Sequence, residues 1–352
     1  MIYTLKEKFT DNLLVLLLVF TSGGLLFVFN RNAMYYIMLT ILFGVIIMNS
    51  FKIKRQLLSS ILFTLISVLS LFVINFLFAN SEQSLDKYLY YFTVVVSSVL
   101  FYVHFKNNRG NHIFLLRLNF ILKLICIHSL INFIAYFFVY DQLFEINSEY
   151  YSCKTYNYLF YYASDDITLS VMNFFGFEFC RNQGLFWEPG VLQVFLNLFF
   201  FLQAFIYKKN RWLLITGFVI LGTYSTTGII ILIAQLAYLF LQRFNENKLL
   251  LPIIFLSFIP IYFVFSVNIE EKLKGNRIFS FQKRLFDFTQ PLFIAVAHPL
   301  TGVGLDLDQF QKLRYEFYID SESLELINET LGVSLKGAGT SAGSANSLTF
   351  LL

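Results

Sequence analysis

Charge is what this chain is short of. Asp, Glu, Lys and Arg make up 14% of its 352 residues, where a soluble domain carries about 25%. That shortfall excludes an ordinary soluble domain, whose surface could not be covered by so few charges. Metal-ligand spacing is also missing. Neither loop long enough to hold a site contains H-x-x-x-H. The nearest approach to D-x-D is Asp306-Leu307-Asp308, inside an expected amphipathic helix, and Asp165-Asp166 is a bare acidic pair. No metal site is therefore expected. P-loop and dinucleotide fingerprints are absent, so no cofactor is expected, and nothing points to nucleic acid.

Cysteine is scarce, with three in the chain. Cys126 sits in an apolar run and reads as a small apolar residue. Cys153 and Cys180 share one loop and can pair where that face is oxidising; two separate thiols are the alternative. The first apolar run lacks a small-residue cleavage site and is long enough to span, so no cleavable signal peptide is expected. No inverted internal repeat is apparent.

What fills the chain is apolar and aromatic: 57% hydrophobic residues, with 45 Phe and 21 Tyr. Repeated apolar runs of this kind predict an all-α, polytopic transmembrane helical bundle, because lipid offers no partner to an open backbone. The expected spans are Asn12–Phe29, Ala33–Ser50, Leu57–Phe78, Leu89–Phe105, Leu118–Tyr140, Gly190–Tyr207, Trp212–Tyr224, Gly228–Gln242 and Leu249–Val267. A tenth begins at about Asn346 and meets the end of the chain. The organisation is thus a five-span bundle over 1–140, a first outer loop over 141–189 and central spans over 190–267. A large outer loop over 268–345 and the start of a further span over 346–352 complete it.

Trp212–Gln242 holds 31 residues without a charge, too many for one upright helix. T-Y-S-T-T-G, Thr223 to Gly228, lies at its centre. Hydroxyls and Gly suit a tight turn between two short spans, while one tilted helix is the alternative. Counting charge decides for the turn. With a cytoplasmic N-terminus, the five inner segments hold 13 Lys or Arg and the short outer connections hold two, Arg31 and Lys87. This is the positive-inside asymmetry. One helix over Trp212–Gln242 would place Arg243 and Lys248 outside. The two long segments fall outside and hold 17 of the 22 acids and 10 of the 26 bases. Long loops are where function concentrates.

Lys123, His128 and His104 lie in or at the end of spans. An ionisable group in a membrane is a functional candidate, but Lys123 is near enough to the cytoplasmic end to snorkel, and packing in the bundle serves for His128. Tyr156–Tyr162, rich in Tyr and Phe, suits a helix lying at the interface.

Three constellations carry chemistry. Arg181 to Gly190, R-N-Q-G-L-F-W-E-P-G, places a cation, a carboxylate, two glycines and a proline at the mouth of an apolar helix. A helix start explains Glu188 and Pro189 without function, since Pro suits the first turn and the dipole favours an acid there. It does not explain Arg181, or Gly184 bending the backbone between them. In the long outer loop, Ile278, Phe281, Leu285, Phe288, Leu292 and Ala295 recur at helical steps and give one apolar face. Arg277, Lys283, Arg284 and Asp287 lie off it, where a solvated face or anionic head groups are the bland reading. Then H-P-L-T-G-V-G, His298 to Gly304, closes that helix: Pro299 stops it, and Gly302 and Gly304 permit a tight course that can offer N–H groups to an anion. His298 is the titrating group outside the membrane, or a loop residue bonded to backbone. Together these stretches read as one membrane-surface site for an anionic, lipid-linked substrate.

At these residues the chain resembles the O-antigen ligase and O-antigen polymerase superfamily, membrane glycosyltransferases of surface-polysaccharide assembly. R-N-Q-G-L-F-W-E-P-G looks like the family's Arg-x-x-Gly-x-Phe-x-Glu-Pro before a span, and T-Y-S-T-T-G looks like its Ser-Thr-x-Gly turn. Arg284, fourteen residues before His298, resembles the Arg-to-His-Pro spacing, and H-P-L-T-G-V-G is similar to His-Pro-Leu-x-Gly-x-Gly. S-A-N-S-L-T resembles the Asn-containing start of the following span. The resemblance runs from Arg181 to the end. Ligase members carry a His just before that Asn, where this chain has Ala345, so the polymerase branch is the expectation. It implies transfer of glycan from a polyprenyl pyrophosphate to a sugar hydroxyl at the outer face of the inner membrane, alongside other polysaccharide-assembly proteins. Arg181 and Arg284 would offset the leaving diphosphate, with Arg277 as a third cation. Glu188 or His298 would serve as base. Gly184, Gly302, Gly304 and Asn346 would complete substrate binding, with no metal required.

Overall fold

The computed structural model describes residues 5–24, 31–48, 55–79, 82–147, 152–156, 171–174 and 177–243, with isolated positions between 259 and 329. Helix dominates. Helix α1 covers Leu5–Thr21, α2 Arg31–Met48, α3 Arg55–Phe78 and α4 Leu85–Val103. A π-helical turn, His104–Arg109, leads into α5, Asn111–Phe138. Helix α6 covers Pro189–Phe201 and runs into a second π-helical stretch, Leu202–Ile206. Helices α7, Asn210–Gly222, and α8, Thr226–Arg243, follow.

Four helical segments are long and apolar enough to cross a membrane: Leu57–Phe78, Leu85–Lys106, His112–Phe138 and Pro189–Ile206. Three shorter apolar helices, Ala33–Met48, Asn210–Gly222 and Thr226–Gln242, accompany them. The chain is a membrane protein by these helices. The tight-turn reading of Trp212–Gln242 holds: α7 stops at Gly222 and α8 starts at Thr226. Thr223 Oγ1 donates to the carbonyl of Ile220 at 2.7 Å, and the amide of Ile229 donates to Ser225 O at 2.9 Å. The hydroxyl-rich segment thus supplies local partners at the helix ends.

The chain divides into two compact units. The first holds residues 1–48 and 104–268. In it α1 packs on α2 and α5, α6 packs on α5, α7 and α8, and α5 packs on α7. Leu192, Leu196 and Phe199 of α6 have no exposed surface. Lipid is as apolar as Leu, so such contacts hold helices through packing rather than by escape from water. The second unit holds residues 49–103 and 269–352, with α3 packed on α4. Tyr88 of α4 meets Phe72 and Phe76 of α3 edge-to-face, at 5.8 and 5.2 Å between ring centres.

Residues 141–189 add an element that an all-α reading leaves out. Strands β1, Phe144–Asn147, and β2, Ser152–Thr155, form one antiparallel hairpin, with Phe144 opposite Thr155. Strands β3, Val171–Phe174, and β4, Phe177–Cys180, form another, with Val171 opposite Cys180. Aromatic and β-branched residues suit a pleated surface, and two residues, the second a Gly, separate β3 from β4. Cys180 is disulfide-bonded and Cys126 is a free, buried thiol. The side chain of Cys153 lies outside the described ones. Tyr156 is not helical, and 157–162 lie outside the described residues.

Candidate functional site

The Arg181–Gly190 segment is tied down at every side. Pro189 occupies the first turn of α6, and Glu188 precedes it in an extended conformation as the N-cap. The carbonyl of Glu188 accepts the amides of Val191 and Leu192 at 3.2 and 3.3 Å. Its carboxylate does not cap the helix by a side-chain hydrogen bond. It lies over the first turn instead: a Cβ on Gly190 would come within 3.1 Å of Glu188 Oε1. An acid there is favoured by the positive end of the helix dipole. The helix-start reading therefore accounts for the backbone at Glu188 and Pro189, while the carboxylate is engaged in something other than capping.

Arg181 is half-buried, and its Nε donates to the carbonyl of Thr223 at 2.8 Å. The next amide, Asn182 N, donates to Gly222 O at 3.0 Å. Arg181 thus runs along the α7–α8 turn, two of whose carbonyls it and its neighbour occupy. Asn182 is wholly buried; its Nδ2 donates to Ser129 O of α5 at 3.0 Å and its Oδ1 accepts the amide of Gly184 at 3.1 Å. Gly184 has φ of +54°, a left-handed conformation that favours Gly. It also presses on α5, where an added Cβ would sit 2.7 Å from Ser129 Oγ. Two separate constraints select this residue.

The far side of the segment rests on the end of α1. Phe186 is fully buried, stacks on Phe195 with ring centres 4.9 Å apart, and pairs as an isolated antiparallel bridge with Gly24. Trp187 N donates to Gly23 O at 3.4 Å. The segment is therefore framed by α1, α5, α6 and the α7–α8 turn.

Beneath it, uncharged amide side chains bond across the bundle. Asn197 Nδ2 donates to Gln193 O, Gln193 Oε1 and Gly228 O at 3.0 to 3.2 Å. Gln235 Nε2 of α8 donates in turn to Asn197 O and Oδ1 at 3.3 Å. Gly228 is required at the crossing, since a Cβ would come within 2.9 Å of Gln193. Farther along, Gln203 donates to Asn119 Oδ1. Lys123 places its Nζ 5.0 Å from the centre of the Trp212 ring, a cation–π contact. His128 lies 3.2 Å from the amide of Asn132. Tyr156 donates to Asn132 O at 3.4 Å, and burial raises its pKa above the usual phenol value, so the hydroxyl keeps its proton.

In the second unit, Gly302 and Gly304 have φ of +58° and +91°, the left-handed course their sequence predicts. The backbone beyond them is held by α4 and the residues just before it. Leu305 N donates to Tyr88 Oη at 3.3 Å and Asp306 N to Gln83 Oε1 at 3.2 Å. Gln83 also accepts from Tyr88 at 3.1 Å, and Tyr88 donates to Asn75 Oδ1. These two amides serve protein acceptors rather than an anion. Arg277, Arg284, His298 and Asn346 lie outside the described residues.

Of the sequence-derived candidates, then, Arg181, Gly184 and Glu188 meet in one segment. Asn182, Gln183, Ser129, Thr223, Gln83 and Tyr88 enter only with the structure. Among the described residues no three His, Cys, Asp or Glu side chains gather as a metal site needs. Comparison with protein-family models, with characterised proteins and with solved structures finds no match.

Proposed function

We propose that this chain is a membrane glycosyltransferase that polymerises polyprenyl-pyrophosphate-linked oligosaccharide repeat units of an O-antigen, capsule or exopolysaccharide. The observation that carries the reading is the contact of Arg181 and Asn182 with the carbonyls of Thr223 and Gly222. Two motifs that resemble the polymerase and ligase superfamily, forty-two positions apart, are joined by direct hydrogen bonds. A chance likeness of unrelated segments gives no reason for that.

The reaction joins an acceptor sugar hydroxyl to the anomeric carbon of the donor. The C–O bond to the diphosphate breaks, the polyprenyl pyrophosphate leaves, and the hydroxyl proton passes to a base. Charge develops on the diphosphate, so positioned cations supply the largest stabilisation. Arg181 and Arg284 fill that role, with Arg277 as a third, because a guanidinium matches phosphate oxygens two at a time. Glu188 or His298 takes the proton. The site faces outward from the inner membrane, with the N-terminus cytoplasmic, as the placement of Lys and Arg supports. A transporter would line its spans with charge; beside the Arg181–Gly190 segment the helices meet through Gln193, Asn197 and Gln235.

Gene deletion and complementation test the reading on glycan gels. Loss of a polymerase leaves single-repeat glycans on the surface, loss of a ligase leaves long unattached lipid-linked chains, and loss of a flippase traps repeats inside. Arg181→Ala and Arg284→Ala should fail to restore the long ladder, and the Lys variants should restore little. Polymer of normal length and amount from these variants would remove the arginines from the mechanism.

A further inference from the structure

Gln183 sits between Arg181 and Gly184 and is 4% exposed, yet its Nε2 makes no hydrogen bond among the described residues. Its neighbours are satisfied: Asn182 bonds to Ser129, Gly184 and Gly222. Ser129 Oγ, on the α5 surface against which Gly184 packs, is likewise buried and without a partner among the described residues. A buried amide donor left unmatched is destabilising, and an apolar side chain of the same shape would avoid the cost. Among the described residues nothing matches this donor, and an oxygen acceptor from outside the chain would.

The Arg181 guanidinium, two positions away, favours an anionic acceptor over a neutral one. Resting on the polymerase reading, we infer that Gln183 is a substrate-binding residue, donating its amide N–H to a diphosphate oxygen of the polyprenyl-pyrophosphate donor. Arg181 supplies the charge and Gln183 the direction, fixing the diphosphate against the Arg181–Gly190 segment.

The test uses the full chain purified in detergent and followed by thermal melting, with farnesyl pyrophosphate as the probe and farnesol and inorganic pyrophosphate as controls. Gln183→Met keeps length and removes the donor. Without ligand it should melt higher than wild type, by about 2 °C, because an unmatched buried amide has gone. Farnesyl pyrophosphate should raise the wild-type melting temperature, inorganic pyrophosphate less so, and farnesol not at all. In Gln183→Met the affinity for farnesyl pyrophosphate should fall by about tenfold or more. Gln183→Asn, whose amide is one bond shorter, should fall in between.

A Gln183→Met protein that melts lower than wild type, or fails to fold, would make the amide a structural group and overturn the inference. So would undiminished binding, a wild-type protein indifferent to the diphosphate, or an equal response to farnesol. Arg181→Ala separates this from the polymerase reading. If it binds the probe normally while Gln183→Met does not, the role of Arg181 fails and that of Gln183 stands. If Gln183→Met binds normally, the inference fails whatever the glycan ladder shows.

Discussion

Asp11 and His104 lie ninety-three positions apart, and Asp11 Oδ1 meets His104 Nε2 at 2.8 Å with neither side chain exposed. The pair ties α1 to the π-helical turn that leads into α5. His104 Nδ1 has no partner among the described residues, so this one contact is what satisfies the ring. Asp11→Ala should therefore cost about 1–3 kcal/mol, the penalty for stranding a buried polar group. It should appear as a lower melting temperature of the detergent-solubilised chain. Asp11→Asn, which keeps an acceptor, should recover most of the loss. Equal melting of Asp11→Ala and wild type would show that the contact adds nothing.

Gly184 gives a prediction that separates two causes. Its φ is +54° and a Cβ would crowd Ser129 Oγ. Gly184→Ala should lose about 1–2 kcal/mol from the left-handed backbone alone and more from the clash. Adding Ser129→Ala removes the hydroxyl but not the conformational cost. The double variant should melt between Gly184→Ala and wild type. If it melts no higher than Gly184→Ala, the steric contact with α5 is unimportant and only the backbone conformation selects Gly.

Much of the first unit was legible because charge and hydropathy act locally. Apolar runs mark the helices His112–Phe138 and Pro189–Ile206, and the hydroxyls and Gly of Thr223 to Gly228 mark the break between α7 and α8. The contacts of Asp11 with His104, Asn119 with Gln203 and Arg181 with Thr223 join residues far apart in the chain and leave no local signal. Two hairpins went unread because strands of four residues are too short for alternation to register. Gln183 went unread because an uncharged amide beside Arg and Glu carries no local pattern; only its burial without a partner marks it. Lys123 meets the ring of Trp212, eighty-nine positions away, a partner that no local pattern announces.

Contacts of long sequence separation are where the sequence is silent, and Gln83 is the case with most to test. Its side-chain oxygen accepts Asp306 N across 223 positions, while Tyr88 accepts Leu305 N. A Cβ on Gly304 would displace the end of the Gln83 side chain. The polar side chains before and within α4 therefore clasp the end of the H-P-L-T-G-V-G motif by its backbone. Gln83→Ala removes one of two acceptors and strands the Asp306 amide, and Tyr88→Phe removes the other. Each should weaken the clasp by about 1 kcal/mol, a change of roughly fivefold in local opening. Limited proteolysis near residues 302–306 should then run several-fold faster in either variant. It should be faster still in the double variant, with cleavage elsewhere unchanged. Cleavage that stays at the wild-type rate in Gln83→Ala would mean that the loop is held by other groups and that Gln83 merely lies beside it.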